Sequence, residues 1–220
     1  MGWGQIAEKV ILTNVPNYYI SDENCENLYY KAMANQIDRV FISPTSAAVG
    51  KKFKDRGVKT AVSIAYPAGC ADPELKAMEI KNCENEGGAA DMYFVTAAVG
   101  YFMSGHEDNL QKEMTQCVEV VNKPVYFIIE AGEMSDRHLR IVCNMAKKTK
   151  AAGIISSTAF MPYEICREPA EDARRLRQYA EGSLEIIVSG AFTAIEEIEH
   201  VIVNGADTVI INESSKIVRV

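Results

Sequence analysis

The sequence is short of the features that announce most specialised chemistries. Its six cysteines (Cys25, Cys70, Cys83, Cys117, Cys143 and Cys166) are scattered, and no two are spaced C-x-x-C. That pattern fits reduced thiols in a cytoplasmic compartment better than a disulfide framework. The three histidines, His106, His138 and His200, stand far apart and show no metal-ligand spacing, so neither a metal nor another cofactor is expected. No G-x-G-x-x-G or G-x-x-x-x-G-K-[ST] loop occurs, which removes the usual support for a nucleotide-binding open sheet. No apolar run approaches the roughly 18 residues of a membrane helix. The N-terminal stretch lacks a basic segment followed by a long apolar one, so no signal peptide is expected. Basic charge is in the minority: Lys+Arg 23 against Asp+Glu 30 leaves −7. A phosphate-coating surface needs the opposite sign, so nucleic acid and anionic membrane are poor partners, whereas a small molecule or a second copy of the chain is not excluded.

What the chain does have is 48% apolar content over 220 residues, enough to bury a sizeable core without staples. Eight short β-rich runs, at 10–14, 38–43, 59–66, 90–96, 124–130, 153–157, 184–189 and 207–212, are apolar on both faces, as strands of a covered parallel sheet are. Helix signals lie between them. Asp72-Pro73-Glu74 supplies an N-cap, a first-turn proline and an acid. Ser135-Asp136 opens a helix with a Leu139, Val142 and Met145 stripe, and Thr193-x-x-Glu196 reads as a capping box before a helix that stops at Gly205. Spread over the chain, this is about 27 residues per β-plus-α unit, close to what a βαβ crossover needs. The spacing predicts one α/β domain over residues 1–220, a compact (β/α)8 TIM barrel; a doubly wound open sheet is the competing architecture.

Chemistry in such a barrel sits at the C-terminal ends of the strands. There the sequence puts Asn14, Ser43, Tyr66, Asp91, Glu130, Ser156, Ser157, Ser189, Asn212 and Glu213. Asp91 stands out, because a carboxylate in an apolar run is costly unless paired. Glu130 and Glu213 are carboxylates with capping or solvated roles as alternatives. His106 reads as part of a polar loop leading into a helix, and Cys70 has no evident positive neighbour to activate it.

The segments carry a resemblance to a known family. Ala65-Tyr66-Pro67-Ala68-Gly69 resembles the F-P-x-G loop of the deoxyribose-phosphate aldolases, and Gly88-Ala89-Ala90-Asp91-Met92 their G-A-x-E-[IV]-D-[MV] strand. Ser104-Gly105 is similar to the serine-glycine pair that follows. Phe127-Ile128-Ile129-Glu130 with Ser135-Asp136 resembles K-V-I-I-E-T…T-D. Gly153-Ile154-Ile155-Ser156-Ser157-Thr158 resembles F-[VI]-K-T-S-T, and Ser189-Gly190-Ala191-Phe192-Thr193 the K-x-[SP]-x-G-G-[IV]-R-T loop. The similarity runs from about residue 30 to about residue 212 and implies a barrel with lyase activity. Its departures are specific. In the family a lysine on the sixth strand forms a Schiff base with the substrate carbonyl; its match here is Ile155. A second lysine, on the seventh strand, falls at Ile186 or Ile187, and a third at Tyr126. In the family's phosphate site the lysine-or-apolar position after S-T-G becomes Phe160, the arginine of G-G-[IV]-R-T becomes Phe192, the glycine pair becomes Ser189-Gly190 or Gly190-Ala191, and the serine pair after the last strand becomes Asn212-Glu213 or, with a shift, Ser214-Ser215.

The resemblance therefore implies a divergent barrel that lacks the Schiff-base lysine. Its pocket would hold Tyr66, Tyr126, Ile155, Ser157, Phe160, Ser189, Phe192 and Asn212, with Asp91, assisted by Glu130 or Glu213, as acid or base. The expected chemistry is of lyase, dehydratase or isomerase type on a small, unphosphorylated carbonyl compound. One alternative is a catalytically silent relative kept as a binding or assembly protein. Another is a retained aldolase using Lys123 or Lys150, both of which the strand order puts at the N-terminal rim. A complete family barrel carries a final helix after its eighth strand, where this sequence has only SSKIVRV. A shortened or missing last helix would leave an apolar strip for a partner copy, so a homo-oligomer is expected.

Overall fold

The structure, a computed structural model, describes residues 2–15, 17, 19–85, 88–160 and 168–218. Eight strands form in the eight expected places: β1 (Val10–Thr13), β2 (Arg39–Ile42), β3 (Lys59–Ile64), β4 (Met92–Thr96), β5 (Val125–Ile128), β6 (Gly153–Ile155), β7 (Glu185–Ser189) and β8 (Thr208–Asn212). They pair in parallel and in sequence order, and β8 closes onto β1 with Val10 opposite Val209 and Thr13 opposite Asn212. The fold is a (β/α)8 TIM barrel, not an open sheet. The helices are α1 (Trp3–Ala7), α2 (Asp22–Ala34), α3 (Ala47–Phe53), α4 (Pro73–Asn85), α5 (Gly100–Met103), α6 (Glu107–Glu119), α7 (Asp136–Thr149), α8 (Pro169–Ala180) and α9 (Ile195–Val203). After β8 the described residues 213–218 make turns and no helix.

Alternation along each strand explains the two-sided apolar pattern. Ile11, Phe41, Phe94, Ile128, Ile155, Ile187 and Ile210 fill the barrel interior as one cluster. Their neighbours in sequence, such as Leu12, Val40, Val95, Phe127, Ile154, Ile186 and Val209, pack outward against the helices. Strand positions are thus buried on whichever face they occupy.

The interior is polar at its N-terminal end. Glu185 accepts from Arg39 Nη1 at 3.1 Å, from Thr208 Oγ1 at 2.9 Å and from the Tyr126 hydroxyl at 2.7 Å. The Tyr126 ring lies over Gly153, where a Cβ would stand 2.2 Å from the Glu185 carbonyl oxygen and 2.8 Å from that ring. Only glycine fits there.

The helix signals are met with one offset. Asp72 Oδ1 accepts from Glu74 N–H at 2.9 Å ahead of α4, and Ser135 Oγ accepts from His138 N–H at 3.3 Å at the start of α7. At α9 the capping carboxylate is Glu197 instead of Glu196: it accepts from the backbone N–H groups of Thr193 at 2.7 Å and Ala194 at 3.3 Å. Those bonds hold its carboxyl below the usual range. Burial pushes the Cys25 and Cys143 thiols up to about 11, so both serve as inert fillers behind their helices.

Candidate functional site

At the C-terminal mouth of the barrel a cavity of about 200 Å³ is floored by Ile128 and Ile210 and ringed by Thr13, Phe41, Ser157, Thr158, Ser189 and Asn212. A second cavity, of about 310 Å³, adjoins it through Ser157, Ala159, Ser189, Gly190 and Ala191. It runs outward between the loops after β5, β6 and β7 and the starts of α8 and α9, past Glu130, Phe192 and His200. Among the described residues, no lysine or arginine lines either cavity.

Ser157, Ser189 and Asn212 reach this mouth from strands 6, 7 and 8, as the sequence implied. Glu130 joins them from the end of strand 5, in a left-handed conformation (φ 51°) that turns its carboxylate toward the next loop. It accepts from Ser157 Oγ at 2.8 Å, from Thr158 N–H at 2.7 Å and from Thr158 Oγ1. Tyr66 crosses from the loop after β3: its ring meets Phe41 edge-on at 6.0 Å, and its hydroxyl donates to the Thr158 carbonyl at 2.7 Å. Gly69 lets that loop close down, because a Cβ there would come within 2.8 Å of the Ala97 carbonyl oxygen. Phe192 is buried in the wall of the outer cavity. Ile155 lies fully buried one layer below Ser157, in register with Ile128 and Ile187. Ile187, not Ile186, is the interior residue of β7.

Four expected site residues are elsewhere. Asp91 immediately precedes β4 at the N-terminal rim, where its Oδ2 accepts from Thr60 N–H at 2.8 Å while its own N–H donates to the Thr60 carbonyl at 2.8 Å. It ties the starts of two strands together on the side of the barrel away from the cavities. Tyr126 points its hydroxyl down to Glu185, and burial beside that carboxylate raises its pKa, so it belongs to the lower plug and not to the pocket. Phe160 is 40% exposed and lines neither cavity. Glu213 follows β8 but also lies outside both linings; burial raises its carboxyl, and nearby Lys31, whose Nζ donates to the Glu213 carbonyl at 2.6 Å, opposes the rise. Of the amines considered as replacements, Lys123 is paired with Glu84 at 2.6 Å beneath β5, and Lys150 caps the end of α7 ahead of β6.

The sequence reading missed two contributions. Thr13 and Phe41 line the mouth as interior strand residues, a role that the parity of Thr13 with Ile11 signals on β1, and Thr158 joins them from the loop after β6. The loops themselves are held from outside by a buried cluster. Lys76 and Glu113, from α4 and α6, are both fully buried and 2.9 Å apart. Lys76 Nζ donates to the Thr96 carbonyl at 2.9 Å, Glu113 accepts from Ala98 N–H at 3.0 Å, and Glu79 accepts from Ala65 N–H at 2.9 Å. Burial raises the carboxyls of both Glu79 and Glu113. Charged residues at these helix positions read as solvated faces until the loops that they hold are seen.

No family model matches the chain. Curated proteins named deoxyribose-phosphate aldolase do. The one from Clostridium kluyveri is 28% identical over 217 residues, covering 97% of this chain and 95% of its own length. The one from Methanothermobacter thermautotrophicus is 24% identical over 207 residues, covering 93% and 90%. Among solved structures, a tetrameric deoxyribose phosphate aldolase from Aeropyrum pernix superposes with a TM-score of 0.85 at 20% identity, over 99% of this chain and 90% of that one. A putative deoxyribose-phosphate aldolase from Coccidioides immitis gives 0.86 at 14% identity, over 96% and 83%. With the loop and strand motifs in family order along one closed barrel, the chain is similar to the deoxyribose-phosphate aldolases over nearly its whole length.

Proposed function

We infer that this barrel carries out acid/base chemistry on a small, unphosphorylated carbonyl compound, of lyase, dehydratase or isomerase type, without an imine to the protein. One observation carries the reading: the interior places of β6 and β7 one layer below the mouth are Ile155 and Ile187, both fully buried, and no described lysine lines a cavity. An imine requires an unprotonated primary amine held against the carbonyl, and isoleucine offers none. A phosphate dianion would enter among Glu130, Glu133 and Glu168 with no described lysine or arginine in the lining to offset them, so like-charge repulsion opposes it.

Asp91, given the acid/base role on the sequence alone, is at the far rim, and the role passes to Glu130. In a retro-aldol cleavage the proton of the substrate hydroxyl moves through Ser157 Oγ to Glu130. The adjacent C–C bond then breaks, its electron pair passes to the carbonyl as an enolate, and the proton returns to that carbon. The Ser189 hydroxyl at the junction of the cavities is placed to donate to the oxygen on which charge grows. The saturation of Glu130 by Ser157 and Thr158 favours a second reading, a silent relative that binds such compounds and does not turn them over.

The test has two arms. Borohydride trapping with deoxyribose 5-phosphate, read by intact mass, should give no adduct, and an adduct would overturn the reading. A panel of unphosphorylated hydroxyaldehydes should be turned over by the wild type and about 10²–10⁴-fold less by Glu130→Gln. Binding without turnover in every case leaves the silent relative as the answer.

A further inference from the structure

The outer cavity has a chemistry of its own. Its walls are apolar where Pro169, Ala170, Phe192 and Val201 meet. Three of its carboxylates are already engaged: Glu130 by Ser157 and Thr158, Glu197 by the amides ahead of α9, and Asp172 beside the Arg175 guanidinium at 3.6 Å. Glu133 and Glu168 are exposed at its edge, and their carboxylates make no hydrogen bond or ion pair with another described residue. At the inner end Ser189 is 9% exposed. Its N–H donates to Ser156 Oγ at 3.2 Å, while its hydroxyl has no partner among the described residues and borders both cavities. A buried hydroxyl left open at the bottom of a cavity calls for a polar group from a ligand.

We propose that this cavity binds a small primary amine that carries a hydroxyl or carbonyl at its other end. Its ammonium lies between Glu133 and Glu168, its carbon chain runs along Phe192 and Val201, and its oxygen meets Ser189 where the central cavity begins. The proposal rests on the reading above that the substrate lacks a phosphate, and it names the charge the substrate carries instead. Two carboxylates with no ion-pair partner among the described residues, at the entrance of a low-polarity channel whose described lining has no lysine or arginine, draw in a cation and repel an anion. The deep end then selects for an oxygen by leaving Ser189 unpaired when none is supplied.

Isothermal titration of the intact protein with 4-amino-1-butanol, butane-1,4-diol, butylamine and 4-hydroxybutyrate tests this directly. The amino alcohol should bind most tightly, and added sodium chloride should weaken it. The Glu133→Gln/Glu168→Gln double variant, with its fold checked by circular dichroism, should lose about tenfold in affinity for either amine. Ser189→Ala should weaken the amino alcohol and leave butylamine unchanged. Equal binding of the diol, tighter binding of 4-hydroxybutyrate, or amine affinity indifferent to both the double variant and salt would overturn the proposal. Turnover of a neutral hydroxyaldehyde without any amine binding sinks this proposal alone, whereas a borohydride adduct with deoxyribose 5-phosphate sinks the reading beneath it.

Discussion

Lys76→Met isolates what the buried cluster does. Methionine keeps most of the side-chain volume but removes the ammonium that lies 2.9 Å from Glu113 in a space closed to solvent on both sides. The Glu113 carboxylate is left buried, with only the Ala98 N–H to satisfy it, and the Thr96 carbonyl loses its donor. Breaking a buried ion pair by removing one partner costs about 3–5 kcal/mol. For a chain of this length that is a fall in Tm of roughly 6–20 °C.

The cost depends on pH in a direction that the structure fixes. Burial already raises the Glu113 carboxyl above its ordinary value, and Lys76 is what opposes the rise; Glu79 stands in the same relation to Lys76. Without the ammonium both rise further. A carboxyl whose folded pKa exceeds its unfolded one keeps its proton in the native state where the unfolded chain has lost it. Stability therefore falls as pH rises from the unfolded value through the folded one. The loss caused by Lys76→Met should be greatest at alkaline pH and shrink in acid, where protonated Glu113 no longer needs a counter-ion. Urea unfolding of both proteins between about pH 5 and pH 8 measures this. The Lys76→Met/Glu113→Leu control should lose most of that pH dependence, while the orphaned Ala98 N–H and Thr96 carbonyl still cost about 1–3 kcal/mol each. A loss of the same size at every pH for Lys76→Met would refute the argument.

Asp91→Asn should leave ligand binding and any turnover at wild-type level while costing about 0.5–1.5 kcal/mol in denaturant unfolding, because the amide oxygen can still accept from Thr60. Gly153→Ala places a Cβ 2.2 Å from the Glu185 carbonyl oxygen and should cost about 1–3 kcal/mol or more, read as a lower urea midpoint. Tyr126→Phe removes one of three donors to Glu185; it should cost about 1 kcal/mol and leave the affinity for cavity ligands unchanged.

The barrel was legible because its physics is local: two-sided apolar runs, a first-turn proline at α4 and a serine cap at α7 are each written in a few adjacent residues. The site was legible only where parity alone decides, as at Ser157, Ser189 and Asn212. Asp91 was misjudged because its place in a family-like motif and its cost in an apolar run outweighed its position at the start of that run; β4 begins at Met92, so the carboxylate stands at the N-terminal rim, opposite the mouth. Lys76 and Glu113 are 37 residues apart in the chain, and nothing in either helix announces that they meet out of water. The cavity carboxylates Glu133 and Glu168 come from separate loops for the same reason. The interior isoleucines show why fold and chemistry part company here. A lysine inside a barrel must be desolvated, and replacing buried charge with well-packed hydrocarbon is often neutral or stabilising. Ile155 and Ile187 pack fully buried in a continuous apolar layer, so the framework holds without an amine at either place. Family likeness over nearly the whole length of the chain thus reports the barrel, and the residues at its mouth have to be read separately for what they bind.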